Sequence, residues 1–330
     1  MTKPTFTGPP AGTLITKDPS DRPGAIDARG VAHPWRWVAL ALIAVVVAMM
    51  VSSFVTNPRW NFPFAFQVMN QKPVLEGLWK GTIVGTIGAM LIGIGIGIPI
   101  AIMRLSDNPV LRGVSFVFTW FFRAIPRYVL LVVIGTGLGF LYPVLAVGLP
   151  FGQQLSSWLG LSTDLTFASI DTFSVTGSIV GGIIGLGLSE AAYMAEIARA
   201  GIQSVDPGQA EAAQALGMSS GRTMRRIVLP QAMRVIVPPT GNETIAMVKD
   251  TSLLNAIPVI TELFFQSRAI GARTLQIVPV LVGATLWYLV ICSVLMIGQY
   301  YLEQYFGRGF GRPAAGKNKR FARPAGAGGA

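Results

Sequence analysis

Six side chains stand out because they are ionisable yet lie inside, or at the ends of, long apolar blocks: Arg123, Arg127, Glu190, Glu243, Lys249 and Asp250. A charge at bilayer mid-depth costs about 2.5–3.5 kcal/mol on insertion scales, so such residues face a cavity or a partner of opposite sign. Two readings stay open. In one, these groups line a polar path for a zwitterionic solute, and Glu243 is the best candidate. It follows Gly241-Asn242 and the pair Pro238-Pro239, where a broken helix would present backbone dipoles to a substrate. In the other reading they are structural: Lys249 and Asp250 pair with each other or with a neighbour, and Arg127 lies near an interface.

Little else in the chain could do chemistry. The single cysteine, Cys292, and the single histidine, His33, cannot build a disulfide, a Cys-His zinc site or a Cys-His nucleophile pair. Cys292 falls inside an apolar block and reads as a small core residue, whereas His33 precedes the first block and reads as a surface residue. No Gly-x-x-x-x-Gly-Lys-Ser/Thr occurs, so the chain carries no phosphate-cradling P-loop. The glycine-rich runs 93–97 and 135–139 lie within apolar blocks, where small residues four apart allow close helix packing. No cofactor, metal or catalytic residue is expected, and a membrane enzyme is the weakest of the function classes.

The elements that must position these residues follow from composition. Of 330 residues, 52% are hydrophobic and 12% charged, against about 25% charged in an ordinary soluble domain. The apolar residues form six blocks, Trp37 to Val55, Gly81 to Met103, Gly113 to Tyr142, Thr172 to Ala198, Pro230 to Val248 and Leu275 to Tyr301. At about 1.5 Å per residue each can cross about 30 Å of hydrocarbon. The net charge of +11 sits mostly between and after the blocks, which suits the positive-inside rule rather than nucleic-acid binding. With six spans, the basic segments 199–226 and 307–330 fall on the cytoplasmic side, and so do both termini. Residues 1–34 and 307–330 are expected to be disordered tails, the second basic and suited to contact with anionic lipid headgroups.

The stretch from Arg199 to Pro230 is the most informative. Asp206 suits a helix N-cap, Pro207 the first helical position and Gln209 the capping-box position. Ala210 to Leu216 are strong helix formers, and Gly217 can end the helix in a left-handed conformation. Ser219 or Ser220 can cap a second short helix, whose boundary Pro230 marks. Two short helices at an angle, projecting from the membrane, are expected.

Within this stretch, Glu211-Ala212-Ala213, then Gly217, Ile227, Leu229 and Pro230, stand at the spacing of the EAA loop of ABC importer permeases. The flanks, including Ala191-Ala192-Tyr193, Glu196, Arg199, Gly241-Asn242-Glu243, Lys249-Asp250-Thr251-Ser252-Leu253 and Arg104-Leu105-Ser106, resemble the polar amino acid permease family. The resemblance covers roughly residues 75–302. It implies an all-α polytopic membrane protein of the type I ABC importer permease fold, with six transmembrane helices and the EAA loop (about 199–230) on the cytoplasmic side. It also implies a permease pair (two copies or a copy and a paralogue), two ATP-binding subunits, a periplasmic solute-binding protein and a polar amino acid as substrate. The seven EAA positions are then the ATPase-coupling residues. The candidate substrate path comprises Arg123, Glu190, Tyr193, Asn242, Glu243, Lys249, Asp250, Thr251 and Ser252. The expected organisation is a tail (1–34), an additional span with a periplasmic loop (35–74), the transport core (75–306) and a basic tail (307–330). Two departures from the family stand out: the additional first span, and Phe122-Arg123-Ala124-Ile125-Pro126 in place of Phe-Arg-Gly-Thr-Pro. A stand-alone channel or secondary carrier is the alternative, and it leaves the EAA loop unexplained.

Overall fold

The computed structural model describes residues 34–149, 151–160 and 166–307. The expected disordered tails therefore lie, apart from Pro34 and Gly307, outside the described residues. The chain divides into two units, Met1–Asn57 and Pro58–Ala330. The described part of the first is helix α1, Pro34–Thr56, which buries none of its residues. A helix that is apolar on every side and presents all of it outward is suited to lipid, in line with the expected first span.

The second unit carries the remaining elements. In chain order these are α2 (Phe62–Met69), α3 (Lys72–Arg104, with a π-helical stretch Gly77–Ile83), α4 (Pro109–Ala124) and α5 (Arg127–Leu141). A short antiparallel pair follows, β1 (Val144–Gly148) and β2 (Thr166–Asp171), with α6 (Gly152–Trp158) between. Next come α7 (Thr172–Thr176), α8 (Ile179–Gln203), α9 (Pro207–Ala215), α10 (Ser220–Thr223) and α11 (Leu229–Asp250). Helices α12 (Leu263–Thr274) and α13 (Ile277–Phe306) complete the unit.

Several boundaries differ from the sequence expectation, each for a local reason. Segment 58–71, read as loop, contains α2, which docks on α13: Trp287 Nε1 donates to the Met69 carbonyl at 3.0 Å. The third apolar block is not one rod but α4 and α5 at 101°. Pro126 pushes Ile125 into an extended conformation (φ −86°, ψ 130°) and so ends α4. The fourth block divides at Gly177-Ser178, where the Ser178 hydroxyl caps α8 by accepting from Val180 N at 3.2 Å.

The fifth block departs most. Pro230 does not separate two helices, because α10 passes through a π-turn, Met224–Val228, directly into α11. In the π-turn Leu229 N donates to Met224 O, five residues back, and this shift of register absorbs the donor that Pro230 lacks. Nor is the helix broken at Pro238-Pro239, since α11 is continuous across both. The Thr240 hydroxyl donates to Ile236 O at 2.8 Å and the Gln299 amide to Pro238 O at 2.8 Å, so side chains serve carbonyls around the proline pair.

Among the described residues, four helices are long and apolar enough to cross a membrane (α1, α3, α8 and α13), and the bent pair α4–α5 makes five. The 22-residue α11 rises about 33 Å but carries Arg234, Glu243, Lys249 and Asp250. It is long enough for a sixth span but too polar to face lipid.

The core forms where α3 meets α8. Gly93 and Gly97 of α3 let α8 approach so closely that a methyl group at Gly93 would lie 2.6 Å from Glu190 Cγ, and one at Gly97 2.8 Å from the Ala191 carbonyl. Met90, Leu131, Leu186, Met194, Met247 and Leu254 fill the space around this contact. A second cluster, Val68, Leu78, Leu263, Ile270 and Val280, joins α2, α3, α12 and α13. The opposite face of α3, with Ile87, Leu91, Ile98 and Ile102, is exposed, as a lipid-facing surface must be.

Candidate functional site: an arginine-centred acidic cluster and a projecting helical loop

The bend at Pro126 aims the next residue, Arg127, back into the bundle. Its guanidinium meets three carboxylates from two other helices. Nη2 lies 2.9 Å from Glu190 of α8 and 3.8 Å from Glu243 of α11, and Nη1 bonds Asp250 of α11. Glu243 and Asp250 are seven residues apart, close to two helical turns, and so project from one face. One turn past Glu190, the Tyr193 ring receives Arg127 at 4.8 Å and Arg123 at 5.5 Å, within the range of cation–π attraction.

The cluster is graded in exposure. The Glu190 side chain is wholly buried and Arg127 is 15% exposed, whereas Glu243 and Asp250 are 27% and 30% exposed. Glu190 Oε2 is bonded, but Oε1 is buried without a hydrogen-bond partner. By formal charge, three carboxylates against one guanidinium leave an excess of two acids, or one if Arg123 is counted. Such a site can hold cationic nitrogen, and its unsatisfied acceptor can take another donor.

Of the expected path residues, Arg123, Glu190, Tyr193, Glu243 and Asp250 are thus brought together. The others are not. Asn242 and Lys249 are exposed, and Lys249 has no carboxylate within 4.0 Å among the described residues. Asp250 pairs with Arg127 instead. Thr251 and Ser252 return their hydroxyls to carbonyls of their own helical turn, those of Val248 and Lys249, both at 2.7 Å.

Two features escaped the sequence. Arg127 was singled out only as an ionisable residue, whereas it is the hub; the signal was its position directly after a helix-ending proline. Glu262 was not singled out. It is fully buried and accepts from the Tyr288 hydroxyl at 2.6 Å, the Thr82 hydroxyl at 3.1 Å and the Phe264 and Phe265 amides. It caps α12 and pins that helix to α3 and α13, a structural task.

The loop between α8 and α11 is built largely as its residues dictate. Asp206 accepts from Gly208 N at 2.8 Å at the start of α9. At its end Gly217 takes φ +78°, with Met218 N donating to Ala213 O at 3.0 Å and Gly217 N to Gln214 O at 2.9 Å. This is a Schellman ending. Ser219 occupies the next N-cap position without a side-chain bond. Ala213 is buried and Ile227 half-buried, while Glu211, Ala212, Gly217, Leu229 and Pro230 are exposed. Leu216, 84% exposed, is a bare apolar side chain at the turn.

This arrangement of helices is that of ABC importer permeases. The crystal structure of an amino acid ABC transporter with histidines matches with a TM-score of 0.54 and 29% identity, covering 71% of this chain and 94% of that one. A bacterial ABC transporter involved in the import of the acidic polysaccharide alginate shares the fold, at TM-score 0.52 and 14% identity over 82% of this chain and 98% of that one. Among curated sequences, the arginine transport system permease protein ArgU of Corynebacterium glutamicum is 43% identical over 87% of this chain and 85% of its own length. The L-cystine transport system permease protein TcyB of Bacillus subtilis is 33% identical over 72% of this chain and 88% of its own. Residues 93–308 match the family described as binding-protein-dependent transport system inner membrane component, and the chain belongs to that family. It is a multi-pass inner-membrane permease of the ABC importer class.

Proposed function

We propose that this permease passes amino acids, with preference for those of net positive charge, and that ATP hydrolysis in a separate subunit drives it. The observation that carries the reading is the Arg127 cluster, where three carboxylates converge on one guanidinium inside the bundle. The surplus negative charge attracts an ammonium or guanidinium group, while Arg127 and Arg123 offer donors to a substrate carboxylate. Relatives named for arginine and L-cystine transport support an amino-acid cargo.

In this reading α1, α3, α4–α5, α8, α11 and α13 are the six spans and both termini are cytoplasmic. The EAA loop then faces the cytoplasm, where an ATP-binding subunit grips Glu211 to Pro230. The β1–β2 hairpin faces the periplasm, where a solute-binding protein delivers substrate. A second permease chain, a copy or a paralogue, completes the pathway. The chain's lack of a P-loop supports assigning hydrolysis to the partner.

The test is uptake into proteoliposomes holding the permease, its ATP-binding subunit and its binding protein. Labelled L-arginine or L-lysine should enter faster than L-glutamate when ATP is supplied. Equal uptake of acidic and basic amino acids would remove the charge preference, and uptake without the ATP-binding subunit would restore the carrier alternative.

A further inference from the structure

A second cationic cluster, outside the proposed path, lies where α3 turns into α4. Arg104 is the last residue of α3 and Arg112 stands in the first turn of α4, with only residues 105–108 between the two helices. A shallow, open cleft of about 350 Å³ beside the turn is lined by Arg104 of α3 and by Pro109, Arg112, Gly113 and Phe116 of α4. The Arg104 guanidinium lies 4.6 Å from the Phe116 ring centroid, and its Nη1 is sealed from solvent without a hydrogen-bond partner. A buried donor left in this way is unfavourable until an acceptor arrives. Neither arginine has a carboxylate within 4.0 Å among the described residues, and the neighbouring acid, Asp107, is exposed. A side chain at Gly113 would meet no atom within 4 Å, so that wall is open. Phe116 and Val110 present apolar surface beside it, 52% and 67% exposed.

The depth of the cleft follows from α3. No ionisable residue separates Lys80 from Arg104, and those 24 steps rise about 36 Å, slightly more than a hydrocarbon core of about 30 Å. Arg104 therefore reaches headgroup level at the edge opposite Lys80. The N-terminus of α4 adds partial positive charge to the same spot.

We propose that this cleft binds the phosphodiester of an anionic lipid. Arg104 and Arg112 supply charge-assisted donors to the phosphate oxygens, and Phe116 and Val110 flank the lipid's apolar part. That the leaflet is the cytoplasmic one rests on the orientation proposed above; the site itself does not.

The experiment uses the complete transporter in phosphatidylcholine nanodiscs and titrates phosphatidylglycerol, with lipid retention read by native mass spectrometry. Wild type should retain phosphatidylglycerol over phosphatidylcholine. Arg104→Gln or Arg112→Gln should each weaken retention about fivefold, and the double variant about 25-fold. Excess inorganic phosphate should not displace the lipid. Equal retention by wild type and the double variant would overturn the proposal, and displacement by inorganic phosphate would assign the site to free phosphate instead. Should the double variant fail to fold, the exposed Arg112→Gln carries the test, with unchanged retention again counting against the site. Amino-acid uptake by wild type in sealed phosphatidylcholine proteoliposomes reports separately on the transport reading.

Discussion

Removing Arg127 isolates the energetics of the acidic cluster. Arg127→Met keeps much of the side-chain volume and deletes the charge. Glu190, wholly buried, then loses the only ion pair it has within 4.0 Å among the described residues. Taking one partner from a buried pair costs about 3–5 kcal/mol, because the other charge stays behind uncompensated. The contacts to Glu243 and Asp250 add little, since both acids are more than a quarter exposed and water screens such pairs to about 0–1 kcal/mol. Most of the loss is therefore assigned to Glu190. Adding Glu190→Gln removes the stranded charge, so the double variant should recover about 2–3 kcal/mol relative to additivity. Equilibrium unfolding in mixed micelles measures the cycle. A coupling energy below about 0.5 kcal/mol would refute the reasoning, since it would mean that Arg127 and Glu190 do not sense each other. Arg127→Lys should rescue only in part, because an ammonium cannot fork across several carboxylates.

Three further outcomes are expected. Glu243→Gln should lower uptake of cationic amino acids more than of neutral ones while leaving complex assembly intact; unchanged uptake across all tested substrates would remove Glu243 from the path. Gly217→Asp and Glu211→Lys should abolish uptake and weaken pull-down of the ATP-binding subunit while the permease still inserts and folds, and normal pull-down and uptake in both would show that the loop is not the coupling element. At Gly217 the added strain should be about 1 kcal/mol, from φ +78° alone, since a side chain there meets nothing within 4 Å in the permease itself. The purified permease, free of other subunits, should show no ATP turnover, and measurable turnover would contradict the assignment of hydrolysis to the partner.

How much of this was legible in the sequence depends on the range of the interaction. The ends of α9 were readable because they are local: Asp206, Pro207 and Gly217 each act within a few residues. The apolar blocks were readable because lipid imposes one requirement on every turn. Whether a proline breaks a helix was not readable. Pro126 does so and bends the third block, whereas Pro230 is absorbed by a π-turn and Pro238-Pro239 sit in a continuous helix beside Gln299, a residue 61 positions away. The ionisable residues of the Arg127 cluster were visible, but which carboxylate meets which cation is decided by contacts 63 and 123 residues apart. Periodicity carries no information at that separation, so Lys249 looked as eligible as Arg127.

The unbroken fifth helix changes how the coupling reading works. A helix broken at Pro238-Pro239 would have allowed the loop to move while Glu243 stayed still. Instead the run from Ser220 through the π-turn to Asp250 is continuous, so the segment that leaves Gly217 also carries two of the three acids facing Arg127. From Ser220 to Glu243 the helical rise is about 34 Å, which links the projecting loop to the interior without an intervening joint. The other two contributors to the cluster, α5 and α8, approach from separate elements, and Glu190 is held close to α3 by Gly93. A shift of α11 relative to α8 therefore changes the separation of Glu243 and Asp250 from Glu190, and Arg127 must redistribute among them. On the proposed function, an ATP-driven pull on the loop would then alter the number of carboxylates free to hold a cationic substrate. Under that proposal the differential interaction between two states which a transport cycle requires would fall at the guanidinium that contacts all three acids.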